Sequence, residues 1–176
     1  CGKALGSINK SGTYRVSSWN RGDYIIDIPT NYDKDKPYRI IFGMHCMGGT
    51  AAMVAAADNG DDLSVFYSMK TLATKDNIQA IYVAPQGNSD GTWNASSDPK
   101  FFMDILTTLE DNLCIDTTRV FVTGFSFGAM FSYALSLAYP EKIRAVATYA
   151  PANWNFDPKP TNRHIPIAYY QVTGTT

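Results

Sequence analysis

The chain has little of what most specialised chemistry needs. Its 176 residues include two histidines, His45 and His164, and three cysteines, Cys1, Cys46 and Cys114. They form no C-x-x-C pair and no Cys/His cluster at ligand spacing, so neither a zinc site nor any other metal or cofactor is expected. Charge of one sign is also missing. Lys and Arg number 15 against 16 Asp and Glu, a net charge of −1, and they are dispersed. That leaves no electrostatic footprint for nucleic acid or an anionic membrane. No apolar run approaches the ~20 residues of a membrane-spanning helix, and there are no internal repeats or low-complexity tracts. The opening Cys1, Gly2, Lys3 lacks the charged-then-apolar pattern of a secretion signal, which fits a mature or trimmed chain.

Two N-x-S sequons, at Asn9 and Asn94, fit a secreted, extracellular, glycosylated protein. Secretion would permit disulfides, and with three cysteines at least one stays free or pairs outside these residues. The pairing and the oligomeric state are open at this stage.

What is present is core. With 45% hydrophobic and 18% charged content, residues 1–176 suit a single domain. Tyr24 to Ile28 (YIIDI), Tyr38 to Met44 (YRIIFGM), Ile78 to Ala84 (IQAIYVA), Ala145 to Ala150 (AVATYA) and Ile165 to Val172 (IPIAYYQV) read as strands. Helical spacing marks Ser64 to Thr74 and Phe101 to Leu113, the latter carrying Phe102, Ile105, Leu106, Leu109 and Leu113 on one face. Strands alternating with helices predict an α/β fold with a doubly wound, mostly parallel sheet, reactive loops at the carboxyl ends of its strands. Two irregular stretches, Gln86 to Lys100 and Ala152 to His164, are long enough to be functional.

The most specific local pattern is VFVTGFSFGAM, Val120 to Met130. A β-branched strand runs into Gly124, Phe125, Ser126, Phe127, Gly128, and a helix from Phe127 to about Tyr139 follows, stopped by Pro140. In a G-x-S-x-G elbow the serine occupies a strained turn that holds its hydroxyl clear of the backbone. The helix amino terminus beneath it favours the negative charge that appears when serine attacks an ester.

Such a site also needs oxyanion donors. In α/β-hydrolases one is the N–H after the serine, here Phe127, and the second comes from a loop after an early central strand. Here that loop is His45, Cys46, Met47, Gly48, Gly49, so Met47 is the first choice of donor and Cys46 the second. His45 reads as a loop-bracing histidine rather than a base. His164 precedes the strand whose end should carry the acid, out of the serine, acid, histidine order of this fold, and reads as an exposed loop residue. Asp157, followed by Pro158, is the only serious acid in the chain and reads more simply as a turn residue. The last strand leads into Thr173, Gly174, Thr175, Thr176, where these hydrolases soon carry an aspartate. The expectation is an amino-terminal part of a longer enzyme, truncated at the carboxyl-terminal end, with acid and histidine beyond Thr176. The last strand would then form an open sheet edge beside an uncovered apolar face.

The stretches CGK, RGDYIIDIPTNYD, FGMHCMGGTA, VAPQG with GTWN, and DNLCIDTTRVFVTGFSFGAMFSYALSLAYP together resemble the secreted carbohydrate esterases of the family 1 type, which include feruloyl esterases, acetylxylan esterases and polyhydroxybutyrate depolymerases. The match is best to fungal feruloyl esterases. The resemblance implies an α/β-hydrolase with Ser126 as nucleophile, oxyanion donors at Phe127 and at Met47 or Cys46, and no metal. Feruloyl esters of xylan or arabinoxylan are then the implied substrates, with acetylxylan as the alternative and a non-catalytic hydrolase-like binding module as the reading from another class. Phe125, Trp93 and Trp154, in or near loops at the carboxyl ends of strands, are the candidates for stacking on a phenolic ring, with packing as the competing role of each.

Overall fold

The computed structural model describes residues 1–3, 5, 8, 11–18, 22–56, 65–152 and 165–174. Asn9, Trp154, Asp157 and His164 lie outside them. Among the described residues seven strands form one sheet: β1 (Gly12–Ser18), β2 (Gly22–Ile28), β3 (Tyr38–Met44), β4 (Ala80–Pro85), β5 (Ile115–Phe125), β6 (Ile143–Tyr149) and β7 (Ala168–Val172), in the order β1-β2-β4-β3-β5-β6-β7. The β1–β2 and β2–β4 pairings are antiparallel, and β3, β4, β5, β6 and β7 run parallel. The doubly wound, mostly parallel sheet expected from the alternation of elements is therefore present.

Among the described residues four helices accompany it: α1 (Ala51–Ala56), α2 (Met69–Lys75), α3 (Asp98–Asn112) and α4 (Phe127–Ala138). Strand residues alternate between the two faces. Ile26, Ile40, Phe42, Ile81 and Val83 face one way and meet the Phe101, Phe102, Ile105, Leu106, Leu109 stripe of α3 together with Phe131 and Leu135 of α4. Ile25, Ile41, Ala80, Tyr82 and Ala84 face the other way and meet Ala51 and Val54 of α1 and Phe66. This period of two, read against helices on both sides, is why the central strands are apolar throughout rather than alternating. Each large side chain so buried contributes about 1.5–3 kcal/mol before entropy is counted.

Several boundaries differ from those read in the sequence. Where Ser64 to Thr74 reads as one helix, residues 65–68 form a turn and α2 starts at Met69. Its end is a Schellman motif: Asn77 takes φ 53° and donates to the Thr74 carbonyl, and Ile78 donates to that of Ala73. Ile78 is therefore occupied in closing α2, and β4 begins at Ala80 instead. The irregular stretch after β4 ends sooner than Lys100, because α3 begins at Asp98 with Pro99 in its first turn. Strand β7 likewise begins at Ala168 rather than Ile165.

Cys1 and Cys114 form a disulfide that ties the start of the chain to the approach of β5, and Cys46 is free. At the opposite side of the sheet β7 is an edge strand, exposed along its whole length. Beside it, Ile41, Met69, Phe121, Thr123, Ala147 and Tyr170 are among the residues lining an open apolar trough of about 260 Å³ on the face away from α3 and α4.

Candidate active site

Strand β5 ends at Phe125 and α4 begins at Phe127, so a single residue, Ser126, makes the reversal. It does so at φ 54°, ψ −120°. A non-glycine residue there costs about 1–3 kcal/mol and persists only where its surroundings hold it. They do: the Ser126 N–H donates to the Tyr149 carbonyl at the end of β6 (2.9 Å), and its own carbonyl accepts from Met130 (3.1 Å). The side chain does not cap α4 and is only partly buried. The hydroxyl is thereby presented at the crest instead of being consumed by the helix end.

The flanking glycines are demanded by contact. A Cβ on Gly124 would lie 2.4 Å from the carbonyl carbon of Gly128, where the helix folds back on the strand. One on Gly128 would lie 2.1 Å from the Met44 oxygen and 2.5 Å from the His45 oxygen. The first turn of α4 therefore packs directly on the end of β3, which is paired with β5 as far as Met44 and Gly124. The HCMGG loop starts from that contact.

Within the loop the Gly49 N–H closes a turn on the Cys46 carbonyl (2.9 Å), with Gly48 at φ 72° supplying the left-handed corner. The Gly48 N–H is spent on the Gly91 carbonyl (3.1 Å). Among the described residues, no turn or loop backbone hydrogen bond uses the N–H of Cys46 or of Met47. Met47 is exposed and Cys46 partly so. Phe127, the first residue of α4, adds an amide at the helix amino end. Ser126 thus stands at the head of α4, whose first turn packs on the end of β3 from which the His45–Gly49 loop departs.

His45 is committed elsewhere. Its Nε2 accepts from the Gly87 N–H (2.9 Å), which puts the proton on Nδ1, where it is donated to the Cys46 carbonyl (2.9 Å). Burial holds its pKa below the ordinary histidine value, so the ring is neutral and braces the loop. It has no nitrogen left to take a proton from Ser126.

Trp93 is not where an exposed loop would carry it. Only 4% exposed, it stacks on Phe131 of α4 with ring centres 4.6 Å apart and packs on His45 at the same distance. Its indole N–H donates to the His45 carbonyl (2.9 Å). The reading of Trp93 as a substrate-stacking ring is corrected by this burial in favour of packing: it anchors the 86–97 loop to the His45–Gly49 loop and to α4. Phe125, by contrast, is 44% exposed beside Ser126, and Phe127 packs against the core. The proposed roles of Trp154, Asp157 and His164 concern residues outside those described. Two participants escaped notice in the sequence, Tyr149 and Tyr67. Nothing in the local pattern marks Tyr149, because it acts through its carbonyl.

No family model matches the chain. Among curated proteins, it is 35% identical over 175 residues to the probable feruloyl esterase C of Aspergillus flavus, a match that covers 99% of this chain and 60% of that protein. It is 36% identical over 156 residues to feruloyl esterase D of Neurospora crassa, covering 87% of this chain and 52% of that protein. The chain is a homologue of the fungal feruloyl esterases. It spans about 60% of the length of the first such relative. Solved structures agree on the fold. The acetyl xylan esterase of Aspergillus awamori superposes with a TM-score of 0.61 at 22% identity, covering 81% of this chain and 53% of that one. The CE1 ferulic acid esterase of Anaeromyces mucronatus, solved with ferulic acid, gives 0.62 at 17% identity, covering 86% and 62%. The fold is that of the α/β-hydrolases.

Proposed function

We propose that the protein is a serine carboxylic-ester hydrolase that cleaves feruloyl and related hydroxycinnamoyl esters of plant cell-wall xylan. The observation that carries this is Ser126, held at φ 54° between β5 and α4 and set against the oxyanion loop, in a chain related to proteins named feruloyl esterase. The Ser126 oxygen attacks the ester carbonyl while its proton passes to a histidine. The tetrahedral oxyanion is held by the amides of Phe127 and of Met47 or Cys46. The sugar alcohol departs with a proton, and water then releases the acid from the acyl-enzyme. The reading requires a histidine other than His45.

The exposed Phe125 is placed to touch the aromatic acyl group. Secretion is part of the same reading, supported by the Cys1–Cys114 disulfide and the exposed Asn94 sequon. Acetylated xylan is the second substrate to test, because relatives and structural neighbours include proteins named acetylxylan esterase. The experiment compares the full natural polypeptide with its Ser126→Ala variant on methyl ferulate and on acetylated xylan. Loss of the nucleophile should cost about a million-fold in kcat. Faster turnover of methyl ferulate supports the feruloyl assignment, and faster release of acetate replaces it. An inactive wild-type protein that still binds feruloylated oligosaccharide would make it a binding module.

A further inference from the structure

Between Val65 and Ser68 the backbone does something the neighbouring helix does not explain. Phe66, Tyr67 and Ser68 take φ of 49°, 54° and 66° in succession. A left-handed conformation costs roughly 1–2 kcal/mol for each such residue, so three in a row need a strong external hold. Phe66 supplies it. It is fully buried, its N–H donates to the Val54 carbonyl (2.9 Å), its ring lies 5.1 Å from that of Tyr82, and a Cβ on Gly43 would sit 3.0 Å from it.

With Phe66 fixed below, the turn projects Tyr67 across the carboxyl ends of three strands. Its hydroxyl donates to the Met44 carbonyl at the end of β3 (2.6 Å). Its ring lies 6.1 Å from that of Tyr149, the residue of β6 whose carbonyl holds the Ser126 N–H. The pairing of β3 with β5 stops at Met44 and Gly124, and the hydroxyl sits where the two strands separate. One strand goes on to the oxyanion loop and the other to Ser126.

We propose that Tyr67 is a positioning residue: through its hydroxyl on the Met44 carbonyl and its ring against Tyr149 it bridges the end of β3 to the residue that holds the Ser126 N–H, and so sets the spacing between the nucleophile and the oxyanion donors. This rests on the ester-cleaving reading of Ser126. It acts through the Met44 carbonyl, in the peptide before His45, and through Tyr149, whose carbonyl holds the Ser126 N–H; the first turn of α4 packs on the same Met44 carbonyl through Gly128. Burial keeps the phenol protonated well above the working pH, so the donor is always present.

The test is Tyr67→Phe in the full natural polypeptide, which keeps the ring and removes the bridge. Reaction geometry is sensitive to displacements below an ångström, so kcat on methyl ferulate should fall roughly ten- to a hundredfold with KM within about twofold. Affinity for phenylboronic acid, which forms a tetrahedral adduct on a serine, should fall by a similar factor while affinity for ferulate is retained. A kcat within about twofold of wild type overturns the proposal. So does an equal loss of affinity for ferulate and phenylboronic acid, which would indicate a general structural role. A parallel Ser126→Ala variant that remains active overturns the nucleophile assignment itself, and the two failures are thereby told apart.

Discussion

Replacing Gly128 by alanine tests the central contact of the site with one methyl group. That Cβ would stand 2.1 Å from the Met44 oxygen, 2.5 Å from the His45 oxygen and 2.6 Å from the Met44 carbonyl carbon. All three are backbone atoms, so no side chain can swing aside. Opening the shortest contact to 3.0 Å requires the first turn of α4 to retreat from β3 by about 0.9 Å. Overpacking of this kind costs about 1–3 kcal/mol. For a chain of this size a loss of about 2 kcal/mol lowers the melting temperature by roughly 4–8 °C. The functional loss should be larger than the thermal one suggests, because the retreat carries Ser126 away from the HCMGG loop. Misplacement by about 1 Å is worth about a hundredfold in rate. The assay pairs a thermal melt with kcat on methyl ferulate, for Gly128→Ala and for Gly174→Ala, where an added Cβ meets nothing within 4 Å. If Gly128→Ala melts and turns over like Gly174→Ala, the packing of α4 on the oxyanion strand is refuted.

The remaining expectations concern stability. His45 is buried with its pKa below the ordinary 6.5, so as pH falls below that value the unfolded chain takes up a proton that the folded one resists. The contribution is complete above about pH 6.5 and is lost as pH falls toward the depressed folded value; the melting temperature of His45→Gln should therefore decline less between pH 7 and 5 than that of wild type, and parallel curves would contradict this. Cys1 and Cys114 are separated by 113 positions, a loop whose closure is worth about 5 kcal/mol on the chain-entropy account. Denaturant unfolding of Cys1→Ser should show that loss, and a change below about 1 kcal/mol would contradict it. A polypeptide of these 176 residues alone should aggregate through the exposed β7 edge and its neighbouring trough, whereas a monodisperse, cooperatively melting sample would count against that.

The elements that could be read in advance are those where local and global demands agree. Tyr38 to Met44 is apolar because it lies mid-sheet with helices on both sides, and its boundaries come directly from that run. The elbow was legible because strand, two glycines and helix must coincide for the turn to exist. Strand β1 was missed. In GTYRVSS only Tyr14 and Val16 are apolar, both partly buried, and its existence depends on pairing with β2. Helix α1, six residues rich in alanine, has too few turns to show a period. The Val65 to Ser68 turn was hidden for the opposite reason. Val65, Phe66 and Met69 do have helical spacing, but Phe66 is held by Gly43 and Val54, far away in sequence, and that hold overrides local propensity. Trp93 misled because a tryptophan in a long polar loop suggests exposure, while the stack with Phe131 and His45 is a tertiary contact.

The most direct test of the central claim is covalent. The full natural polypeptide is mixed with an excess of methyl ferulate, quenched in acid within a turnover, digested and examined by mass spectrometry. A feruloyl adduct on the peptide containing Ser126, absent from Ser126→Ala, is the predicted result. Turnover of methyl ferulate that persists in Ser126→Ala, or an adduct on any other residue, would contradict it.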